Sequence, residues 1–197
     1  MVYWGNMTTL TPPTSRRWTA EEYLRLAKLG FFDGQRVELI DGEIIQMSPI
    51  HNPHAAAVSR LSQILIANLP AERYWVRVQA TLSLDGNYPE PDIAVISGPV
   101  TSEGDFPVTA LFVAEISDST LNLDRTRKMP LYAAAKIPEY WIINLPAKQI
   151  EIFRKPIADP TEPFGFRYGD AHTIGLTESS STLFEPSLNI AAAAVIG

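Results

Sequence analysis

The chain has no cysteine, which excludes disulfides and thiolate metal sites and makes a reducing compartment the simplest home. Histidine is scarce, three in all. His51 and His172 share no metal-ligand spacing with each other or with a nearby acid, so a histidine-rich zinc centre is not expected. Positive charge is also short: 16 Lys and Arg stand against 22 Asp and Glu, for a net charge of −6. That balance excludes a general nucleic-acid coat protein, whose binding rests on phosphate neutralisation. No apolar run approaches the roughly 18 residues of a membrane span, and the first residues lack a basic stretch followed by an apolar core. The expectation is a cytoplasmic protein with no membrane contact. Neither a Gly-x-Ser-x-Gly elbow nor a P-loop is present, which removes the common serine-hydrolase and nucleotide-binding signatures.

What the chain does have is a core. Of its 197 residues 46% are hydrophobic, enough for one domain. Residues 1–16, broken by Thr11-Pro12-Pro13-Thr14, read as a flexible arm, and residues 17–197 as the folded unit. Thr19 to Glu22 is a capping box that opens a short amphipathic helix closed by Gly30, expected to pack on a sheet edge. Asp41-Gly42 between two apolar runs signals a hairpin with a type I′ turn, and that hairpin carries Glu38. Asn52 as N-cap with Pro53 behind it predicts a helix to about Leu69. Residues 75–84 alternate as a strand with Gln79 on the polar side. Pro156, Pro160 and Pro163 punctuate a predicted long loop. Beyond it, 165–168, 172–174 and 187–190 suggest short strands.

The informative stretch is Tyr88 to Lys128. Pro89-Glu90-Pro91 delivers Asp92 to the first position of an apolar strand. A second apolar strand, Ala110 to Ser117, carries Glu115 where a buried strand normally has no carboxylate. The strand period puts Leu111, Val113, Glu115 and Ser117 on one face, with Phe112, Ala114 and Ile116 on the other. If the two strands are neighbours, Asp92 and Glu115 converge as oxygen ligands for a hard divalent cation, Mg²⁺ or Mn²⁺. Read singly, Asp92 is equally a turn carboxylate, and Glu115 a core partner of Arg125, Arg127 or Lys128. Pro130 complicates the helix that follows. Either that helix begins near Arg127 or it is kinked.

The ordered set of Glu38-Leu39-Ile40-Asp41-Gly42-Glu43, Pro91-Asp92, Glu115-Ile116-Ser117-Asp118-Ser119-Thr120, Asp124 to Lys128 and Glu139-Tyr140-Trp141-Ile142 resembles the Uma-type restriction endonucleases of the PD-(D/E)XK nuclease superfamily. The resemblance spans about residues 17–154 and departs from the superfamily at Ser117, which stands where the usual motif has lysine. It implies an α/β (α+β) fold, restriction-endonuclease-like, three-layered, with a mixed central sheet flanked by helices. It further implies a metal-dependent endonuclease acting on nucleic acid, with DNA the expected polymer. Asp92, Glu115 and the backbone carbonyl of Ile116 would be metal ligands, joined by Glu38. Lys128, displaced onto the next helix, would orient water and offset phosphate charge. Gln79 would contact phosphate or water, Tyr132 at i+4 from Lys128 would position the lysine, and His54 at a helix N-terminus would touch phosphate. Arg73, Arg77, Arg125, Arg127, Lys128 and Lys136 are candidates for a basic rim. Cleavage of both strands of a duplex calls for two sites, hence a two-fold homodimer. The competing reading is a nuclease-fold protein without catalysis, acting as a nucleic-acid-binding or protein-interaction module.

Overall fold

The computed structural model of the chain describes residues 15–49 and 51–197. The expected N-terminal arm therefore lies outside the described residues, apart from Ser15 and Arg16. Helix α1 (Ala20–Lys28) starts at the capping box. Thr19 Oγ1 accepts from the Glu22 N–H at 3.2 Å, and Glu22 accepts from the Thr19 N–H at 3.0 Å. The helix buries Tyr23 against Val37, Leu39 and Tyr88, so it packs on the hairpin rather than on the edge of the central sheet. That hairpin is β1 (Val37–Ile40) and β2 (Glu43–Gln46). Asp41 and Gly42 both take positive φ, 51° and 71°, as a type I′ turn requires. Leu39 and Tyr88 exchange backbone hydrogen bonds of 2.8 and 3.3 Å. This pairing holds the hairpin against the segment that leads to Asp92.

The central sheet has six strands in the order β3-β4-β5-β6-β7-β8: Tyr74–Val78, Ile93–Ser97, Phe112–Ser117, Glu139–Asn144, Gln149–Ala158 and Phe166–Gly175. Every pair is antiparallel except β5 with β6. A parallel pair needs a crossover, usually helical, and here it is α3 (Leu121–Leu123), a π-helical turn (Asp124–Lys128) and α4 (Met129–Ala134). On one face α2 (Asn52–Asn68) and α5 (Ala192–Ile196) pack Val58, Leu61, Leu65 and Val195 on Phe112, Ala114, Ile116 and Trp141. On the other, α4 packs Leu131 and Tyr132 on Val113, Tyr140 and Ile142. Helices cover both faces, and successive β5 residues alternate between the two cores as the strand period predicts.

Four local expectations change. Helix α2 takes His51 as N-cap, with Asn52 inside the helix. Strand β3 stops at Val78 and Gln79 turns to φ 47°, because Pro89 and Pro91 on the facing segment cannot donate to a continued ladder. Strand β7 runs through Pro156, where a loop is expected. Its pairing with β6 ends at Arg154, so at Pro156 only β8 flanks the strand and one side is left open, the edge position that tolerates a proline. Past that loop, β8 is one continuous strand of 10 residues where two short ones are expected. Beyond it β9 (Ser179–Ser181) and β10 (Asn189–Ala191) form a separate two-stranded sheet.

Glu139, part of the motif set, has a structural task. Fully buried, it accepts from Arg154 Nη2 at 2.6 Å, from Trp141 Nε1 at 2.9 Å and from the Leu183 N–H at 2.7 Å. It thereby ties β6 and β7 to the C-terminal segment. Glu139→Ala strands the Arg154 charge in a largely buried position, and the expected loss is about 3 kcal/mol of unfolding free energy in a urea titration. A loss below about 1 kcal/mol would show that water reaches Arg154 in place of the carboxylate.

Candidate active site

Asp92 immediately precedes β4 and Glu115 lies near the end of β5, and the adjacency of these strands brings the two carboxylates together. The Asp92 N–H donates to Glu115 Oε2 at 3.3 Å. Asp92 Oδ2 accepts from the Ile116 N–H at 2.9 Å and lies 3.0 Å from His54 Nε2, while Oδ1 accepts from the Gln79 side-chain amide at 3.1 Å. Lys128 Nζ donates to Glu115 Oε1 at 3.0 Å and to Glu38 Oε1 at 2.9 Å. Tyr132 donates to the same Glu115 oxygen at 2.7 Å, and the Glu90 N–H holds Glu38 Oε1 at 3.1 Å. Glu38 Oε2 and His54 Nδ1 are buried and have no partner among the described residues. Asp92, Glu115 and Glu90 line a cavity of about 40 Å³ together with Arg36, His51, His54, Asp118, Asp124 and Lys128, room enough for an ion or a few waters. Glu38 does not line it and is joined to it through Lys128.

Lys128 reaches this cavity through the π turn. A regular α-helix across Pro130 would press the proline ring on the Thr126 carbonyl four residues back and leave that carbonyl without a donor. The chain widens instead, and the Met129 N–H donates to the Asp124 carbonyl, five residues back. Single π turns inside helices often mark functional sites. Neither a late start nor a simple kink describes this segment. Asp124, the first residue of the turn, is buried and accepts from Ser117 Oγ, and from Thr120 Oγ1 at 2.7 Å. Ser117, standing where the superfamily has lysine, thus anchors the element that returns the lysine.

Charge dominates the energetics. Glu38, Asp92, Glu115 and Asp124 are four buried carboxylates around one buried lysine. Burial pushes Glu115 well above the usual carboxylate range, and the charges of Asp124, Asp92 and Glu38 add to it against Lys128. Burial raises Glu38 and Asp124 likewise. Burial disfavours the Lys128 charge, but Glu115, Glu38 and Asp124 outweigh it and hold the ammonium above its ordinary pKa. For Asp92 burial is overturned by His54 and by the donors Ile116 and Gln79, so its carboxyl titrates below the ordinary value. One lysine cannot offset several desolvated carboxylates. Arg36 also lines the cavity, but it and Lys128 face five lining acids, Glu90, Asp92, Glu115, Asp118 and Asp124, so the cavity is short of positive charge.

All the residues singled out from the sequence thus meet in or beside one cavity: Asp92, Glu115, Lys128, Glu38, Gln79, Tyr132, His54 and Ile116. Ile116 contributes its N–H to Asp92, with its side chain in the opposite core. Sequence reasoning missed Asp124, Glu90 and Arg36, all of which line the cavity. Asp124 carried a signal, its spacing of four from Lys128 on one helical segment. The expected basic rim does not form. Arg125 binds Glu151 at 2.6 Å, Arg127 binds Glu43 at 2.7 Å, Arg73 stands 4.0 Å from Glu185, Lys136 lies over the Phe166 ring, and Lys128 is interior.

Among the described residues, no three His, Asp or Glu side chains are arranged to hold a metal ion. The carboxylates of Asp92 and Glu115 are the two side chains there that would be offered to an ion. Such a set fits Mg²⁺, which is commonly held by one or two carboxylates and keeps several waters. The uncompensated negative charge of the lining fits a cation as well.

A mixed six-stranded sheet covered by helices on both faces, with an acid and lysine cluster where two central strands meet, defines an α/β fold of the restriction-endonuclease type. The chain belongs to the Uma2 family, described as "putative restriction endonuclease", whose model matches residues 20–181. Among solved structures it is similar to "a putative nuclease belonging to DUF820" from Anabaena variabilis ATCC 29413. That likeness covers 90% of this chain and 97% of that one, at 15% identity and a TM-score of 0.68, and shows the shared fold. No curated protein matches the sequence.

Proposed function

We propose that the protein is a metal-dependent endonuclease that hydrolyses phosphodiester bonds of DNA. The observation that carries this reading is the charge deficit of the cavity at the ends of adjacent strands, where five lining carboxylates face only Lys128 and Arg36. Asp92 and Glu115 would hold Mg²⁺ or Mn²⁺, with the Ile116 carbonyl as a further oxygen donor and Glu38 acting on the water shell of the ion. When bound, the ion polarises the phosphoryl oxygen and lowers the pKa of a water. His54, Gln79 and the Ile116 N–H fix the orientation of the Asp92 carboxylate. Tyr132 and Lys128 do the same for Glu115. Because Lys128 stays protonated, it serves as a fixed cation that orients water and offsets charge on the phosphate, not as a general base.

With Mn²⁺ the wild-type protein is expected to nick or linearise supercoiled plasmid, and EDTA is expected to stop it. Asp92→Asn removes one ligand charge while keeping hydrogen-bonding capacity, and the expected fall in cleavage is about hundredfold or more. Equal residual cutting by wild type and Asp92→Asn would place the activity in a contaminant. The arrangement of only two side-chain ligands favours one second reading, a nuclease-fold module that binds without cutting. Its signature is DNA binding of equal strength in EDTA and Mn²⁺, with plasmid left intact.

A further inference from the structure

Beyond the acidic cavity, β3 and the loop 97–108 enclose a second cleft of about 510 Å³, lined by Trp75, Arg77, Ile96, Glu103, Asp105 and Phe106. The Arg77 guanidinium lies over the Trp75 ring, 4.5 Å from its centre. Arg77 Nη2 donates to the Thr81 carbonyl at 3.1 Å, and its Nε, which has no acceptor among the described residues, is too deeply buried for a ligand to reach. What the cleft offers a ligand is therefore the stacked Arg77 and Trp75 planes. A phosphate is not the favoured ligand, because Glu103 and Asp105 give the cleft a negative balance around the one Arg77 charge. A flat, neutral group that carries ring or carbonyl acceptors, and amines for the carboxylates, matches the lining. Nucleobases have that composition, and arginine planes and indoles are the surfaces on which unpaired bases stack.

The position of the cleft supports the same ligand. Arg77 precedes by two residues Gln79, whose amide reaches Asp92, a separation of roughly 7 Å along the backbone. Thr81 continues the connection, since its hydroxyl donates to Glu90 Oε1 at 3.1 Å and Glu90 lines the acidic cavity. Arg77 and Trp75 lie opposite Ala94 and Ile96, two and four residues along β4 from Asp92, so a strand with a phosphodiester at Asp92 and Glu115 would bring a base one or two nucleotides away to this cleft.

Resting on the nuclease reading of the acidic cavity, we propose that the Trp75–Arg77 cleft is a subsite for one unpaired nucleobase of the strand being cut, so that single-stranded or locally opened DNA is the substrate. A base within an intact duplex has both faces stacked and does not present itself to such a platform.

Fluorescence anisotropy in EDTA, where no cutting occurs, tests this with labelled single strands of about 12 nucleotides, within the span of single-strand binding sites. The full-length protein is expected to bind the intact strand about tenfold more tightly than an abasic strand or a duplex of equal length, the scale of one stacked base. Trp75→Leu and Arg77→Met should each lose about that tenfold on the intact strand and nothing on the abasic one. Arg77→Lys, which keeps the charge without the plane, should behave as Arg77→Met does. Equal binding of intact and abasic strands by wild type, or full affinity in both variants with an unchanged circular dichroism spectrum, overturns the proposal. Base-dependent binding without Mn²⁺-dependent cutting would sink the catalytic reading and keep the subsite. Cutting with base-independent binding would do the reverse.

Discussion

Glu115→Gln is expected to abolish Mn²⁺-dependent plasmid cleavage while the melting temperature stays level or rises by about 2–4 °C, equivalent to about 1 kcal/mol for a chain of this size. The two outcomes have one cause. Glu115 is almost fully buried and surrounded by Asp124, Asp92 and Glu38, so its ionised form is held at a cost that Lys128 offsets only in part. The glutamine keeps the volume and an oxygen for Tyr132 and Lys128, and removes the charge. Cleavage requires that charge to hold the ion, and the fold does not. The pH dependence has a definite sign. A carboxyl whose folded pKa is raised binds its proton in the native state at pH values where the unfolded chain has lost it, so stability falls as pH rises above the ordinary carboxylate range. The gain of the variant over wild type should therefore be larger at pH 8 than at pH 5 in thermal melts without metal. A Glu115→Gln protein that unfolds several degrees below wild type at pH 8 would mean that the Lys128 pair outweighs the repulsion.

Lys128→Met is expected to have the largest effect on folding, a loss of about 3–5 kcal/mol in urea denaturation at neutral pH. Lys128 is 1% exposed and is the cation that Glu38, Glu115 and Asp124 share. Without it these carboxylates remain desolvated and mutually repelling. The same variant with Glu38→Gln and Glu115→Gln should recover most of the loss, because the two acids that the lysine contacts are then neutral, while Asp124 keeps its Ser117 and Thr120 donors and Asp92 its His54, Gln79 and Ile116 contacts. Strong coupling of this kind is expected for groups in one network. Lowering the pH should also rescue the single variant, since protonation removes the repulsion. A loss of less than about 1 kcal/mol would show that water enters the cavity and solvates the acids. A cleavage defect in Lys128→Met alone thus mixes catalysis with folding, and the triple variant separates them.

These effects also show why the rim of basic residues proved a poor guide. Arg125, Arg127 and Arg73 are drawn to the nearest acids, Glu151, Glu43 and Glu185, which are distant in sequence and cannot be matched to them without the fold. The lysine was legible because it is part of an ordered motif. Asp124 was legible only as a letter in that motif, since its task depends on Ser117 and Thr120 folding over it.

The sequence by itself determined what rests on local sterics and on strand and helix periods. The type I′ hairpin follows from Asp41-Gly42, where two positive φ angles are needed. The start of α1 follows from the reciprocal bonds of Thr19 and Glu22. The sorting of Val113 and Glu115 from Phe112, Ala114 and Ile116 follows from the two-residue period of β5. Tertiary structure decided whatever depends on partners brought from afar. The π turn that aims Lys128 arises where Pro130 forbids an α-helical bond and Glu38 and Glu115 wait for a cation. Strand β7 passes through Pro156 because β6 ends before it, and β3 stops at Val78 because prolines face it across the sheet. The charge deficit of the cavity comes from acids that span residues 90 to 124, with Glu38 joined to them through Lys128. Their repulsion exists only once the hairpin, two strands and the crossover have closed around them, because in the extended chain water screens each one separately.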